Sequence, residues 1–254
     1  MGRTTVHAEA GTTGGDTFGG ALEQLRAAQK TAKGVSLYSR WVNRPAGKVL
    51  AAAAHRAGLA PNAVTLASGA LSFTGIAAVA LAEPSWPLAL AVYAALALGF
   101  ALDAADGQLA RLQRVSSAAG EWLDHVVDCG KITALHAAVL IAFHRFFDLP
   151  SPGWLLLPLA FQFAAVVIFF GGLLADKLRP RTSPRAPAAG PSRARAFALL
   201  PVDYGVFCGV FLLLGDRTAF LWGYTALFLA HALFLVLFLV KWFRELSAQP
   251  PPAT

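Results

Sequence analysis

The sequence predicts an all-α integral membrane protein with six transmembrane helices, preceded by an amphipathic juxtamembrane helix. Hydrophobic residues make up 56% of the 254-residue chain and charged residues only 14%, which is far from the composition of a soluble domain. Several apolar segments reach the roughly 20 residues that a helix needs to cross the hydrocarbon core of a bilayer. Lys and Arg are concentrated in alternate connections between these segments, as in multi-pass membrane proteins.

The chain begins with a segment that does not resemble a membrane span. Residues 1–33 are rich in Gly and Thr and predict a disordered N-terminal tail. Residues 34–60 place Arg40, Arg44 and Lys48 at four-residue spacing between apolar positions, which predicts an amphipathic helix on the membrane surface. An anchor on anionic lipid is the favoured role for this surface helix, and a direct role in the chemistry stays open.

Six apolar segments follow and are predicted to span the membrane. They cover residues 62–82, 87–109, 121–145, 153–175, 197–215 and 218–240. With the surface helix they predict one membrane domain over residues 34–244 and a C-terminal tail over 245–254. Basic residues precede the first span and follow the second, fourth and sixth, so the positive-inside rule places both termini in the cytoplasm of a cell-membrane protein. The net charge of +7 therefore reflects topology and predicts no nucleic-acid partner.

Four of the fourteen acidic residues lie inside the second and third predicted spans, namely Asp103, Asp106, Asp124 and Asp128. A charge at the bilayer centre costs about 2.5–3.5 kcal/mol on the insertion scale, so these carboxylates are not expected to face lipid. Helical periodicity places two sets of residues each on one face: Asp103, Asp106, Gly107 and Ala110 on the second span, and Gly120, Asp124, Asp128 and Lys131 on the third.

The short connection between these two spans predicts that they are antiparallel neighbours, with all four carboxylates able to converge on one pocket. Such a cluster predicts a site for divalent cations, and Mg²⁺ in particular is usually held by a few carboxylates and the phosphates of a substrate. Two ions could clamp a phosphoryl group, and Arg111 could hold a phosphate at the cytoplasmic surface. A transporter or ion-coupled carrier would also keep carboxylates in its helices, but Gly107, Arg111 and Gly120 beside the acids favour an enzyme.

The spacing of these residues resembles the signature of the CDP-alcohol phosphotransferases. The pattern Asp103-x2-Asp106-Gly107-x2-Ala110-Arg111-x8-Gly120-x3-Asp124-x3-Asp128 matches that signature at every fixed position. The resemblance extends to the arrangement of helices, because members of the family have a surface helix followed by six membrane helices. Their first span starts with Pro-Asn-x-x-Thr, which is similar to Pro61, Asn62 and Thr65 here. The resemblance covers about residues 34–244, and the segment LYSRWVNRPAG is similar to the branch that uses inositol phosphate.

The resemblance implies an enzyme that transfers a substituted phosphate from a CDP-alcohol to an acceptor alcohol and releases CMP. CDP-diacylglycerol is the expected donor, which implies phospholipid biosynthesis, and the family implies Mg²⁺ or Mn²⁺, two ions and a homodimer. Asp103, Asp106 and Asp124 would be metal ligands, while Asp128 would ligate metal and deprotonate the acceptor hydroxyl. The CDP group would lie against Gly107, Ala110, Arg111 and Gly120, with Asn62 at the start of the first span, where free backbone N–H groups suit a phosphate.

Four residues are candidates for binding the acceptor, namely Lys131, Arg193, Arg195 and Asp203. Lys131 either contacts the acceptor or balances the acidic cluster. The arginines of the basic loop, which also include Arg179, Arg181 and Arg185, either bind a phosphorylated acceptor or provide the favoured positive-inside signal. Asp203 and Tyr204 either line the acceptor pocket or form a satisfied structural pair. The acceptor alcohol itself stays unidentified.

The remaining polar residues of the predicted spans are interpreted as structural. His125, His136 and His231 are expected to be packing or interface residues rather than ligands. Cys129 and Cys208 lack metal-ligand spacing and predict neither a disulfide nor a redox pair.

Overall fold

The computed structural model describes residues 18–27, 35–179 and 192–249. Within these ranges the chain is helical and has no β-strand, which confirms the all-α prediction. The α-helices are α1 (Phe18–Ala27), α2 (Arg44–Arg56), α3 (Pro61–Leu81), α4 (Trp86–Gln113), α5 (Ala118–Phe146), α6 (Leu156–Leu178), α7 (Arg193–Ala198), α8 (Tyr204–Val210) and α9 (Arg217–Ser247). A π-helical turn, Ser39–Asn43, precedes α2, and 3-10 turns lie at Pro152–Leu155, Leu200–Val202 and Phe211–Gly215.

Five helical segments in the described ranges are long and apolar enough to cross a membrane: α3, α4, α5, Pro152–Leu178 and α9. Each begins and ends within a few residues of a predicted span or extends a little beyond it. Polar side chains define several starts. Ser117, for example, accepts a hydrogen bond from the backbone N–H of Gly120 (3.0 Å) and caps α5 beside the acidic cluster.

The fifth predicted span, residues 197–215, is a broken segment. It contains the end of α7, a 3-10 turn, α8 and a second 3-10 turn. Pro201 lacks a backbone N–H, and the Asp203 carboxylate starts a new helix by accepting hydrogen bonds from the N–H groups of Gly205 (2.8 Å) and Val206 (3.4 Å). The apolar part, Tyr204–Gly215, is roughly 18 Å long at α-helical rise, shorter than a ~30 Å hydrocarbon core. The count of six spans therefore stays a prediction.

Helix α1 lies in the stretch predicted to be disordered, so that prediction is wrong for Phe18–Ala27. Ala21 and Leu25 are buried against α2 and α4, in a cluster that includes Ala51 and Leu109. Phe18, Ala21, Leu22 and Leu25 recur at helical spacing, a signal that the surrounding Gly and Thr residues obscure. The rest of the predicted tail, residues 1–17 and 28–33, lies outside the described residues, as do residues 250–254.

Small residues bring α3, α4 and α5 close together. Ser68 of α3 is fully buried and donates a hydrogen bond to the backbone carbonyl of Gly99 on α4 (2.8 Å). A Cβ on Gly99 would lie 3.2 Å from the Ser68 carbonyl, so only glycine permits this approach without displacement. The acidic faces of α4 and α5 are held against α3 by this packing. A second, aromatic core fills the opposite half of the bundle around Phe161 and Tyr224.

The segment before the first span is fixed to α8. A Cβ on Gly205 would lie 1.9 Å from the Tyr38 ring, and the same ring stacks on Phe100 of α4 (centroids 6.5 Å apart). The Ser36 hydroxyl donates to Asp203 Oδ2, and the Ser39 hydroxyl donates to the same oxygen at 2.6 Å. The surface segment is therefore packed against the bundle through specific contacts.

Replacing Gly205 by Ala is expected to lower the melting temperature, because the Tyr38 ring must leave its place between α8 and Phe100. Overpacking of this kind costs on the order of 1–3 kcal/mol. Gly209→Ala, on the same helix, is the matched control because nothing lies within 4 Å of the added methyl. Thermal unfolding of both variants in the same detergent checks the prediction, and equal melting temperatures would contradict it.

Candidate active site

Three carboxylates from α4 and α5 meet in the bundle. Asp103, Asp124 and Asp128 each offer an oxygen, and these oxygens all lie within 4.8 Å of one another. An octahedral Mg²⁺ with bonds near 2.0–2.1 Å holds its ligand oxygens about 3–4 Å apart, so small side-chain rotations would suit this set to a divalent cation. The carboxylates are partly buried and consist only of hard oxygen ligands. The residues present therefore fit a metal of the Mg²⁺ or Mn²⁺ type.

Asp106 lies apart from this set of three. It is 5% exposed, and its Oδ2 accepts a hydrogen bond from the Thr65 hydroxyl of α3 at 2.6 Å. The Thr65 hydroxyl is also 3.2 Å from the Pro61 carbonyl. Sequence reasoning noted Thr65 only as part of the start of the first span. Its contact with Asp106 depends on how α3 packs against α4.

Lys131 is the cation nearest to the carboxylates in the described structure. Its Nζ donates to Asp103 Oδ1 (2.5 Å) and Asp128 Oδ1 (2.9 Å), and lies 3.2 Å from the Ser68 hydroxyl. The ammonium group has three N–H donors, and these three oxygens account for all of them. The lysine side chain is 4% exposed. Of the two roles considered for Lys131, the structure supports balancing the acidic cluster.

A cavity of about 400 Å³ opens beside the carboxylates, between the start of α3, the end of α4 and the start of α5. Its lining contains the five residues expected to hold CDP, Asn62, Gly107, Ala110, Arg111 and Gly120, together with the acids Asp106 and Asp124. The absence of a side chain at Gly120 shapes the wall. An added Cβ would lie 3.1 Å from both Asn62 Oδ1 and Ser117 Oγ.

The same cavity contains residues that sequence reasoning did not assign to a site. Glu121, His125, Ser116 and Ser117 also line it. His125 lies near two carboxylates, with Nε2 3.8 Å from Glu121 and Nδ1 3.9 Å from Asp124. Glu121 and His125 are four residues apart and follow Gly120 and Asp124 directly, so helical spacing could have identified them.

Two arginines lie near the cavity, Arg111 at the end of α4 and Arg44 at the start of α2. Arg111 lines the cavity and interacts electrostatically with Asp106 and with Arg44 of α2. Burial, and then the neighbouring Arg40, lower the pKa of Arg44 from its ordinary value, although a guanidinium stays charged in proteins. The Arg44 backbone carbonyl also accepts a hydrogen bond from Gln108 (3.2 Å). The surface helix is therefore packed directly beside the site.

The structure does not bring the remaining acceptor candidates to the carboxylates. Asp203 Oδ2 accepts hydrogen bonds from the surface segment and Oδ1 accepts from the α8 N-terminus, so this carboxylate is held by these groups and not by its neighbour Tyr204. Arg193 and Arg195 are exposed on α7 and line neither this cavity nor the smaller one described below. Arg179 pairs with Glu245 at 2.5 Å, and Arg181 and Arg185 lie outside the described residues.

A helix bundle of membrane type, with hard oxygen ligands beside a polar cavity, would suit an enzyme that handles phosphates at a bilayer. A family model described as CDP-alcohol phosphatidyltransferase matches residues 58–238. That range covers well over half of the chain, so the protein belongs to this family and is a CDP-alcohol phosphotransferase.

One solved structure supports the fold. The crystal structure of Mycobacterium tuberculosis phosphatidylinositol phosphate synthase (PgsA1) with CDP-DAG bound superposes with a TM-score of 0.53. The two proteins are 19% identical over an alignment that covers 80% of this chain and 94% of that one. No curated protein matches the sequence. The family match favours the enzyme over the transporter that the buried acids alone would allow.

Replacing Lys131 by Met is expected to lower the melting temperature of the metal-free protein strongly. Asp103 and Asp128 would lose their shared cation, and removing one partner of a buried pair costs on the order of 3–5 kcal/mol. Added Mg²⁺ is expected to raise the melting temperature more in this variant than in the wild type, because the metal then supplies the missing charge.

Lys177→Met is the matched control, because Lys177 pairs with Glu121 at an exposed position, where an ion pair contributes less than about 1 kcal/mol. Thermal unfolding with and without Mg²⁺ measures both variants. Equal destabilisation of the two, or an Mg²⁺ effect no larger than in the wild type, would contradict the charge-balancing role of Lys131.

Proposed function

We propose that this enzyme transfers a phosphatidyl group from CDP-diacylglycerol to an alcohol, with release of CMP, in phospholipid biosynthesis. The observation that supports the proposal best is the cluster of three metal-type carboxylates, one of which, Asp124, also lines the cavity that the family motif lines. The donor diphosphate carries negative charge, which fits Arg111 and the free N–H groups at the start of α3.

Asp103, Asp124 and Asp128 would hold the divalent cations, with Asp106 beside them. Two bound ions would neutralise charge on the transferring phosphoryl group and orient it for displacement. Thr65 holds Asp106 through its hydrogen bond, and Lys131 fixes the positions of Asp103 and Asp128. These contacts keep the carboxylates in place, so little rearrangement is needed at the moment of reaction.

Asp128 is the proposed base. Its Oδ1 is bound to Lys131, so Oδ2 is the oxygen that would accept the proton of the acceptor hydroxyl. The acceptor oxygen forms a bond to the β-phosphorus, and the bond from that phosphorus to the CMP oxygen breaks with its electron pair leaving on CMP. The large cavity would hold the cytidine and α-phosphate and release CMP towards the cytoplasm.

The proposal includes a cytoplasmic site, cytoplasmic termini and a homodimer. The distribution of Lys and Arg supports the orientation. Helix α9 has an apolar surface that is available to lipid or to a second copy of the protein. Only 6% of its most apolar part is buried within the bundle.

Asp128→Asn is expected to abolish CMP release from CDP-diacylglycerol in the presence of Mg²⁺ and an acceptor mixture. It is expected to lower the melting temperature less than Lys131→Met does, because Lys131 keeps its ion pair with Asp103 and the asparagine Oδ1 can still accept a hydrogen bond. Asp148→Asn is the matched control, because Asp148 is an exposed loop residue distant in sequence from the motif. Chromatographic measurement of CMP checks both variants. Metal-dependent CMP release that persisted in Asp128→Asn would contradict the proposed base, and ion-dependent uptake into proteoliposomes without CMP would indicate a transporter instead.

A further inference from the structure

A smaller cavity of about 210 Å³ lies between α5, α6, α8 and α9. Its walls are mainly apolar and aromatic, and include Ile132, Phe161, Ile168 and Phe207. The only side chains in the lining with polar atoms are His136, Tyr204 and His231. The lining consists of described residues and contains no Lys, Arg, Asp or Glu. Its chemistry therefore differs from that of the first cavity, which is lined by an arginine and by aspartate, glutamate, serine and threonine side chains.

The smaller cavity begins next to the carboxylates, on the side away from the first cavity. Along α5, Gly120 and Asp124 line the first cavity and Asp128 follows one turn later. Ile132 and His136 lie roughly 6 and 12 Å further along the same axis, at 1.5 Å per residue. From α8, Tyr204 lines the cavity and is close enough to Asp103 and Asp128 to interact with them electrostatically.

Two polar groups in the wall have unused hydrogen-bonding capacity. The Tyr204 hydroxyl is buried, and no oxygen or nitrogen of the described residues bonds to it. The thiol of Cys208, a weak hydrogen-bonding group, lies close to it. His136 also lines the cavity, and its Nδ1 lies 2.6 Å from the Tyr224 hydroxyl, so Nε2 is its remaining hydrogen-bonding atom. Both groups are neutral hydrogen-bonding partners, suited to a hydroxyl or ester and poorly suited to an anion.

In-line displacement brings the acceptor oxygen to phosphorus from the side opposite the departing CMP. If CMP leaves through the first cavity, the second cavity is on the approach side. A phosphorylated alcohol placed there would leave its charge without a cationic partner, which is costly in an apolar environment. A hydrocarbon chain carries no charge and could enter from the bilayer without leaving an apolar environment.

We propose that this cavity binds the hydrocarbon chain of a lipid substrate, with a neutral hydroxyl or ester near Tyr204, and that it excludes phosphorylated acceptors. The inference rests on the proposed function and specifies its substrate class. The chain belongs either to the acceptor alcohol or to the donor diacylglycerol, and both have the same chemistry in this cavity.

Ala165→Phe tests the inference by filling the cavity, since Ala165 lies in its wall. Ala160→Phe is the matched control on the same helix, because Ala160 is exposed on the outer surface of the bundle. CMP release is measured with monooleoylglycerol or glycerol 3-phosphate as acceptor, and with CDP-diacylglycerol carrying C8 or C18 chains as donor. Ala165→Phe is expected to raise the KM of monooleoylglycerol or of the C18 donor at least 10-fold, while kcat at saturating substrate stays within about 2-fold. Ala160→Phe is expected to match the wild type.

The substrate whose KM rises is the one whose hydrocarbon chain occupies the cavity. A rise for monooleoylglycerol alone assigns the cavity to the acceptor, and a rise for the C18 donor alone assigns it to the donor. Identical constants for the two alanine variants would overturn the inference while leaving the proposed function intact. A higher kcat/KM for glycerol 3-phosphate than for the neutral lipid would overturn the exclusion of phosphorylated acceptors.

A binding experiment separates the inference from the proposed activity. A long-chain alcohol that carries a diazirine is photo-crosslinked to the wild-type protein in detergent, and labelled peptides are identified by mass spectrometry. Labelling of the Phe161–Phe169 stretch that is lost in Ala165→Phe but kept in Ala160→Phe would support the cavity even if no CMP were released. Equal labelling in both variants would overturn the inference.

Discussion

The position of the Lys131 ammonium between the carboxylates is the interaction on which the rest of the site depends. Carboxylates inside a membrane bundle are costly unless a cation or hydrogen-bond donor faces them. One nitrogen meets Asp103 of α4, Asp128 of α5 and Ser68 of α3, so three membrane helices converge on a single charge. The cation also comes from α5 itself, three residues beyond Asp128, so both groups lie on one face of the same helix. The contacts that balance the charge of the carboxylates therefore also hold the three helices together.

Other polar contacts extend this arrangement outwards. On α3, the Thr65 hydroxyl donates to Asp106 and the Ser68 hydroxyl donates to the Gly99 carbonyl. These two hydrogen bonds join α3 to α4 on either side of Asp103 along the α4 axis. Asp203 joins the surface segment to α8 through Ser36 and Ser39. Each contact links elements far apart in sequence, and each lies where apolar packing alone would leave helix rotation weakly specified. The bundle therefore gains a defined register from a small number of hydrogen bonds.

Much of this site could be predicted because one periodicity governs it. A 3.6-residue repeat places Asp124 and Asp128 on one face, and the short α4–α5 connection makes the two acidic faces neighbours. The α3 residues that contact the site could not be predicted. The depth and rotation of α3 depend on its close approach to α4, where Gly99 leaves room for Ser68. Hydropathy also favoured one span over residues 197–215, although Pro201 and the capping Asp203 interrupt it. Helix α1 was missed because its apolar spacing extends over only ten residues.

The two cavities divide the neighbourhood of the carboxylates by polarity. On one side lie Arg111, Asn62 and backbone N–H groups, which suit a nucleotide diphosphate in contact with water. On the other lie mainly apolar and aromatic side chains such as Phe161 and Phe207, with two histidines and one tyrosine, and this wall suits hydrocarbon. A reaction that joins a lipid to an alcohol and releases a nucleotide has products of the same two kinds. Under the proposed function, CMP would leave into water while the lipid product returns to the bilayer, so the polarity of each wall directs a product to the phase in which it dissolves.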